Sequence, residues 1–241
     1  LSGGADVGQA MNDGCSPLLI AVKKGHLDVV RLLLSGGAVV GQAANTGACP
    51  LLIAAEKGRL EMARLLLANG AGVGQAMNNG CFPLYIAAEQ GHRDVVRLLL
   101  SSGADVGQAR NTGASPLFIA AQEGHLDVVR LLLANGADVG QAITSGADVG
   151  QAMNAGCSPL FIAAQSGHLD VVRLLLSGGA DVGQAMNDGC SPLFIAAQSG
   201  HLDVVRLLLS GGADVGQAMN DGCSPLLIAV KKGHLDVVRL L

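Results

Sequence analysis

Seven prolines set the folding problem for this chain. Pro17, Pro50, Pro83 and Pro116 stand 33 residues apart, and Pro159, Pro192 and Pro225 resume that spacing after one interval of 43. The residues between them repeat as well. Residues 153–185 and 186–218 differ only at Ala155 and Asp188, and residues 219–241 repeat residues 11–33 without a change. A period of this length means one supersecondary unit stacked on copies of itself, none of which can bury its apolar face alone.

Residues 11–43 show what one unit does. Ser16-Pro17 reads as a helix start, because the Ser hydroxyl can accept a backbone N–H and Pro suits the first helical position. Leu18, Ile20, Ala21 and Val22 then make a short, mostly apolar helix. Gly25 stops it, since Gly takes the left-handed conformation beyond a helix end at little cost. His26-Leu27-Asp28 opens a second helix bearing Val29, Val30, Leu32, Leu33 and Leu34. Asp28 and Arg31 form an i, i+3 pair, with the acid near the positive end of the helix dipole. Gly36-Gly37 ends this helix, and the Gly, Asn and Thr-Gly chemistry that follows predicts a hairpin-like finger. The fold class is therefore an all-α repeat solenoid of stacked helix-turn-helix units with loop fingers.

The phrases Gly-x-Ser-Pro-Leu, Ile-Ala-Ala, Gly-His-Leu-Asp-Val-Val-Arg-Leu-Leu-Leu and Gly-Ala-Asp-Val recur in phase, and in this the chain resembles the ankyrin repeat. A 34-residue helical repeat is set aside by the Gly-His turn and the Gly-Ala-Asp-Val tail. One domain over 1–241 is expected. Residues 1–10 would be the tail of a unit, followed by repeats 11–43, 44–76, 77–109 and 110–142, an insert at 143–152, repeats 153–185 and 186–218, and a partial repeat 219–241. The chain departs from the family where a His follows Thr-Pro-Leu: here Leu19, Leu52, Tyr85, Phe118, Phe161, Phe194 and Leu227 stand. Cys49 and Phe82 replace the capping Ser, each at an expected cost of ~1 kcal/mol. Gly41, Gly74, Gly107, Gly140, Gly183 and Gly216 occupy the place of an Asn that is hydroxylated in some members, so that modification is not expected.

Composition narrows the function classes. Charged residues are 14% and the net charge is −4, which argues against a nucleic-acid binder with its basic stripe. The longest apolar stretches, such as Leu126 to Ala134, are interrupted by charges and fall short of the about 20 residues that span a bilayer. No charged-then-apolar leader opens the chain, and no membrane insertion is expected.

Catalysis and metal binding find no support in the pattern. An active site is normally singular, whereas His26, His92, His125, His168, His201 and His234 recur in one phase and the resemblance assigns them a structural role in the turn. Arg59 stands in the seventh place. Cys15, Cys81, Cys157, Cys190 and Cys223 share a phase, with Cys49 one place later. Neighbouring units lie about 8–10 Å apart, beyond the ~7 Å reach of a disulfide. No Cys-x-x-Cys occurs, so reduced thiols in a cytoplasmic or nuclear protein are expected. The Gly-Gly-Ala-Asp-Val-Gly run lacks the Lys-Ser/Thr of a phosphate loop. No catalytic residue, cofactor or metal is assigned.

The resemblance implies a non-enzymatic scaffold that binds another protein along an elongated curved surface of finger tips and first helices. By motif position, the contact candidates are Lys23-Lys24, Glu56-Lys57, Glu89-Gln90, Gln122-Glu123, Gln165-Ser166, Gln198-Ser199 and Lys231-Lys232. The alternatives are the recruiting part of a larger enzyme or ligase adaptor, and a structural solenoid without a dedicated partner. The uncapped ends suggest a piece of a longer array and self-association. The ten extra residues at 143–152 are expected to enlarge one finger. Tyr85, Phe118, Phe161 and Phe194 are expected to form a continuous ladder of rings, either filling space between units or reaching the surface as partner anchors.

Overall fold

The computed structural model describes residues 6–143 and 156–241. By its internal packing the chain divides into two compact units, 1–111 and 112–241. Among the described residues all regular structure is helical. The first unit holds α1 (Pro17–Lys24), α2 (Leu27–Ser35), α3 (Pro50–Glu56), α4 (Leu60–Ala68), α5 (Pro83–Glu89) and α6 (Arg93–Ser101). The second holds α7 (Pro116–Gln122), α8 (Leu126–Ala134), α9 (Pro159–Ser166), α10 (Leu169–Ser177), α11 (Pro192–Ser199), α12 (Leu202–Ser210), α13 (Pro225–Lys232) and α14 (Leu235–Leu240).

The local signals act as expected. Every odd-numbered helix begins at a proline, and Ser16, Ser115, Ser158, Ser191 and Ser224 accept a hydrogen bond from the amide three residues on, at 3.1–3.2 Å. Cys49 and Phe82 make no such side-chain cap. Gly25, at φ 86°, closes α1 in the left-handed conformation and lets the chain reverse into α2. The expected Asp28–Arg31 pair does not form. Exposed i, i+3 pairs occur instead at Glu61–Arg64, Asp94–Arg97 and Asp236–Arg239, 3.4–3.8 Å apart. At such exposed sites the two long side chains gain too little to be held together everywhere.

Within each unit first helices pack on first helices, α1 on α3 on α5, and α7 on α9 on α11 on α13. The small side chains of Ala54-Ala55, Ala87-Ala88, Ala163-Ala164 and Ala196-Ala197 are 0% exposed and permit this close approach. Second helices close the other side with Leu66, Leu99, Leu132, Leu175 and Leu208, also 0% exposed. Burying one such leucine contributes about 1.5–3 kcal/mol. No helix holds together without its neighbours, because each is only six to nine residues long and isolated helices that short are marginal in water.

The fingers are tight turns. Met186 N–H donates to the Cys190 carbonyl at 2.9 Å and Gly189 N–H donates to the Met186 carbonyl at 2.9 Å, and the Met11–Cys15, Met77–Cys81 and Met219–Cys223 fingers are built alike. In the long interval of the sequence, Ile143 N–H donates to the Cys157 carbonyl at 2.9 Å and Gly156 N–H donates to the Ile143 carbonyl at 2.9 Å. Ile143 thus makes the bonds that methionine makes elsewhere, although it was expected to open the insert. The remainder of the expected insert, 144–152, lies outside the described residues.

Candidate functional site

Two kinds of polar residue at the turns and helix ends matter for a site, and the structure separates them. The first kind recurs with the period and is consumed in tying one repeat to the next. The Nε2 of His92 lies 3.0 Å from the Glu56 carbonyl, that of His168 2.9 Å from Gln122, that of His201 3.0 Å from Gln165 and that of His234 3.0 Å from Gln198. A carbonyl can only accept, so Nε2 carries the proton in each. The histidines therefore reach back to the end of the preceding first helix as well as shaping their own turn. Arg59 does the same work in a different chemistry: its Nη1 donates to the Val22 carbonyl.

Two further ties were not singled out from the sequence. Gln42, Gln75, Gln184 and Gln217 each donate through Nε2 to the carbonyl of a finger glycine one repeat back, Gly8, Gly41, Gly140 and Gly183, at 3.1–3.3 Å. Asn45, Asn78 and Asn220 donate through Nδ2 to the carbonyls of Asn12, Asn45 and Asn187 at 2.9–3.1 Å. The signal was present, since Gln and Asn recur in every finger. Their role was hidden because a bond between residues 33 or 34 apart, or 44 across the long interval, is invisible to local reading.

The second kind varies between repeats, although Lys23-Lys24 returns as Lys231-Lys232 and Gln165-Ser166 as Gln198-Ser199. In the first unit Lys23, Lys24, Lys57 and Gln90 are exposed, with Glu56 and Glu89 half-buried; in the second Glu123, Gln165, Ser166, Ser199, Lys231 and Lys232 are exposed, with Gln122 and Gln198 half-buried. All sit at or just beyond the C-terminal ends of first helices. Lys57 pairs with Glu56 at 2.7 Å and Gln122 Nε2 donates to Glu123 at 3.0 Å. Both contacts are between sequence neighbours, so neither ties these side chains into the fold.

The aromatic column is corrected. Tyr85, Phe118, Phe161 and Phe194 are only 3–5% exposed, which makes them core rather than partner anchors. Nor do they form a continuous ladder. Among the described residues one ring pair is in contact, Phe82 with Tyr85, edge-on with centroids 5.9 Å apart. Equivalent rings stand a whole repeat apart, about 10 Å, beyond the 7 Å at which rings interact. Arg110, in the finger position where methionine usually stands, lies over the Tyr85 ring with its guanidinium carbon 4.9 Å from the centroid. Burial pushes the Tyr85 hydroxyl up.

The thiols are unpaired, and all but the half-buried Cys15 are buried. Burial pushes Cys157 and Cys190 up to about 12, and raises Cys49 and Cys81 in the same direction. A thiol held protonated is a poor nucleophile and a poor metal ligand. Among the described residues no three His, Cys, Asp or Glu side chains converge on a possible metal site, and no helix is long and apolar enough to cross a membrane.

Comparison with known proteins agrees with this architecture. The sequence model of ankyrin repeats in three copies matches residues 1–77, 69–143, 141–219 and 160–241. The chain belongs to the ankyrin-repeat family. Among solved structures it is similar to the ankyrin repeat domain of Bcl-3, described as a unique member of the IkappaB protein family. The two are 30% identical, with a TM-score of 0.77 over 95% of this chain and 100% of that one. No curated protein sequence matches. The repeats place the chain in the broad class of protein-interaction domains.

Proposed function

We propose that this chain is a non-enzymatic scaffold which binds a protein partner through the ends of its first helices. One observation carries the reading. At the end of the first helix the seven repeats carry five different polar pairs, Lys23-Lys24, Glu56-Lys57, Glu89-Gln90, Gln122-Glu123 and Gln165-Ser166, the first and last of them each used twice, and the stack leaves these side chains exposed or half-buried at the surface. The recurring His, Gln and Asn side chains are spent largely on bonds between repeats, which leaves the first-helix ends as the polar surface that changes along the stack. The six unpaired thiols support a reducing compartment, cytoplasmic or nuclear.

The test is site-specific photo-crosslinking in cells. A crosslinking amino acid at Gln165 or Gln198 should capture a discrete protein. The same group at Arg173 or Arg206, on the second helices, should not. Capture at the second helices alone would refute this surface, and no capture anywhere would favour a structural solenoid.

A further inference from the structure

One point in the first unit breaks the repeat three times. Phe82 stands where five other repeats cap the first helix with serine, Tyr85 is the single tyrosine of the chain, and Arg110 takes the finger position held elsewhere by Met11, Met77, Met186 and Met219. The three meet in space. The Phe82 ring abuts Tyr85 edge-on, with centroids 5.9 Å apart, and the Arg110 guanidinium carbon lies 4.9 Å from the centre of the Tyr85 ring. Both rings are buried and Arg110 is half-buried. One turn along α5 from Tyr85 stands Glu89, among the candidate contacts at the first-helix ends.

Packing alone does not call for a charge here, because an uncharged methionine fills the same place in other fingers. The cation is partly withdrawn from water yet forms no ion pair among the described residues. Its Nη1 donates to the Tyr85 hydroxyl oxygen at 3.4 Å, and its Nε is buried with no acceptor. The other arginines of this unit are provided for. Arg64, Arg93 and Arg97 lie 3.6–4.0 Å from a carboxylate, Arg59 donates to the Val22 carbonyl, and Arg31 is exposed to water. A desolvated charge without an opposite partner is costly. A guanidinium lying on an aromatic face is at the same time held ready for a planar acceptor.

We propose that Arg110, held over Tyr85, takes a carboxylate side chain of the protein partner. The site deepens the scaffold reading and rests on it. The partner's Asp or Glu accepts from the guanidinium and supplies the acceptor that the fold withholds, while the buried Tyr85 ring positions the donors without touching the ligand. Such a charge-assisted pair adds direction as well as attraction, and arginine is among the residues that dominate binding energy at protein interfaces. A carboxylate suits the site better than a phosphate. One cation stands here, with Glu89 in electrostatic reach of it and Glu56 in reach of Cys81, the neighbour of Phe82. A phosphate group carries nearly two negative charges and is met by clusters of arginine.

Selection of random short peptides displayed on phage tests this, run in parallel on the 241-residue chain and on Arg110→Met, which restores the methionine of other fingers. Circular dichroism verifies that the variant keeps the helicity of the parent, and Arg110→Gln replaces it where methionine disturbs the fold. Peptides enriched on the parent but not on the variant should share an Asp or Glu at one position. Replacing that acid by its amide should weaken binding to the parent by about tenfold or more, and should leave the weaker binding to Arg110→Met within about twofold. Phosphoserine at the same position should bind no tighter than the acid. Peptides that bind parent and variant alike, or an amide penalty equal on both, would overturn the site while leaving a scaffold that binds elsewhere. Tighter binding of the phosphoserine form would overturn the carboxylate assignment. A parent that enriches no peptide would also overturn the site, and crosslinking at Gln165 and Gln198, in the other unit, then decides whether the scaffold reading falls with it.

Discussion

The imidazole of His201 lies over Gly167, so close that a Cβ on that glycine would stand 2.7 Å from the ring. Gly167 has φ 78°, so it is required twice, once by the turn and once by the neighbour. Gly179, at φ 90° with nothing within 4 Å, is required by the turn alone. Gly179→Ala should therefore cost about 1 kcal/mol. Gly167→Ala should cost about 2–3 kcal/mol, since the bond from His201 to the Gln165 carbonyl is displaced as well. Denaturant titration of both variants, and of Gly167→Ala combined with His201→Ala, checks this. Equal losses at the two glycines would mean that the ring simply moves aside.

Phe161 is 4% exposed between stacked helices. Phe161→Ala should cost about 3–5 kcal/mol through lost burial and the cavity left behind. Gln165→Ala, one turn on but at the surface, should change stability by less than about 0.5 kcal/mol. Thermal unfolding of both variants reads the contrast directly, and a mild Phe161→Ala would return that ring to the candidate binding surface.

Cys49 stands where five other repeats carry a capping serine, and its side chain makes no cap bond. Its backbone is nonetheless extended like theirs, at φ −100° and ψ 162° against φ −78° and ψ 161° for Ser16. Cys49→Ser should thus let a hydroxyl accept from Leu52 N–H and stabilise the first unit by ~1 kcal/mol. A rise in denaturant midpoint checks it; a fall would show that the sulfur's apolar packing outweighs the bond.

The buried thiols make stability depend on alkaline pH. In the unfolded chain a thiol ionises near its ordinary value of 9.0, while burial holds Cys157 and Cys190 protonated up to about 12. Below pH 9.0 both states are protonated and the two thiols contribute no slope. Above it the unfolded chain releases protons first, so stability falls as pH rises toward the folded value, by up to about 1.4 kcal/mol per pH unit for each thiol. Comparing unfolding at about pH 8 and about pH 10.5 should show a steeper loss in the parent than in Cys157→Ala combined with Cys190→Ala. Parallel losses would mean that these thiols already reach water in the folded state.

Local features of this protein were legible in its sequence because they act over a few residues. Ser-Pro starts a helix, a left-handed glycine ends one, and the 33-residue period declares that the pairs stack. That the candidate contact residues lie at the ends of the first helices was legible too, from their motif position. What the tertiary structure alone decided are matters of which repeat a side chain meets. His201 and Gln217 recur in phase whether they bond their own repeat or the one before, and only packing chooses. Phe161 is an apolar residue in a short helix by sequence; the approach of the neighbouring first helices makes it core. Ile143 is the first residue of an insert by alignment, yet it forms the finger bonds because Cys157 comes back to meet it. Residues 11–33 and 219–241 show this most plainly. Their sequence and local structure match, but Val22 is buried and Val230 bare, since burial belongs to the neighbour and not to the residue.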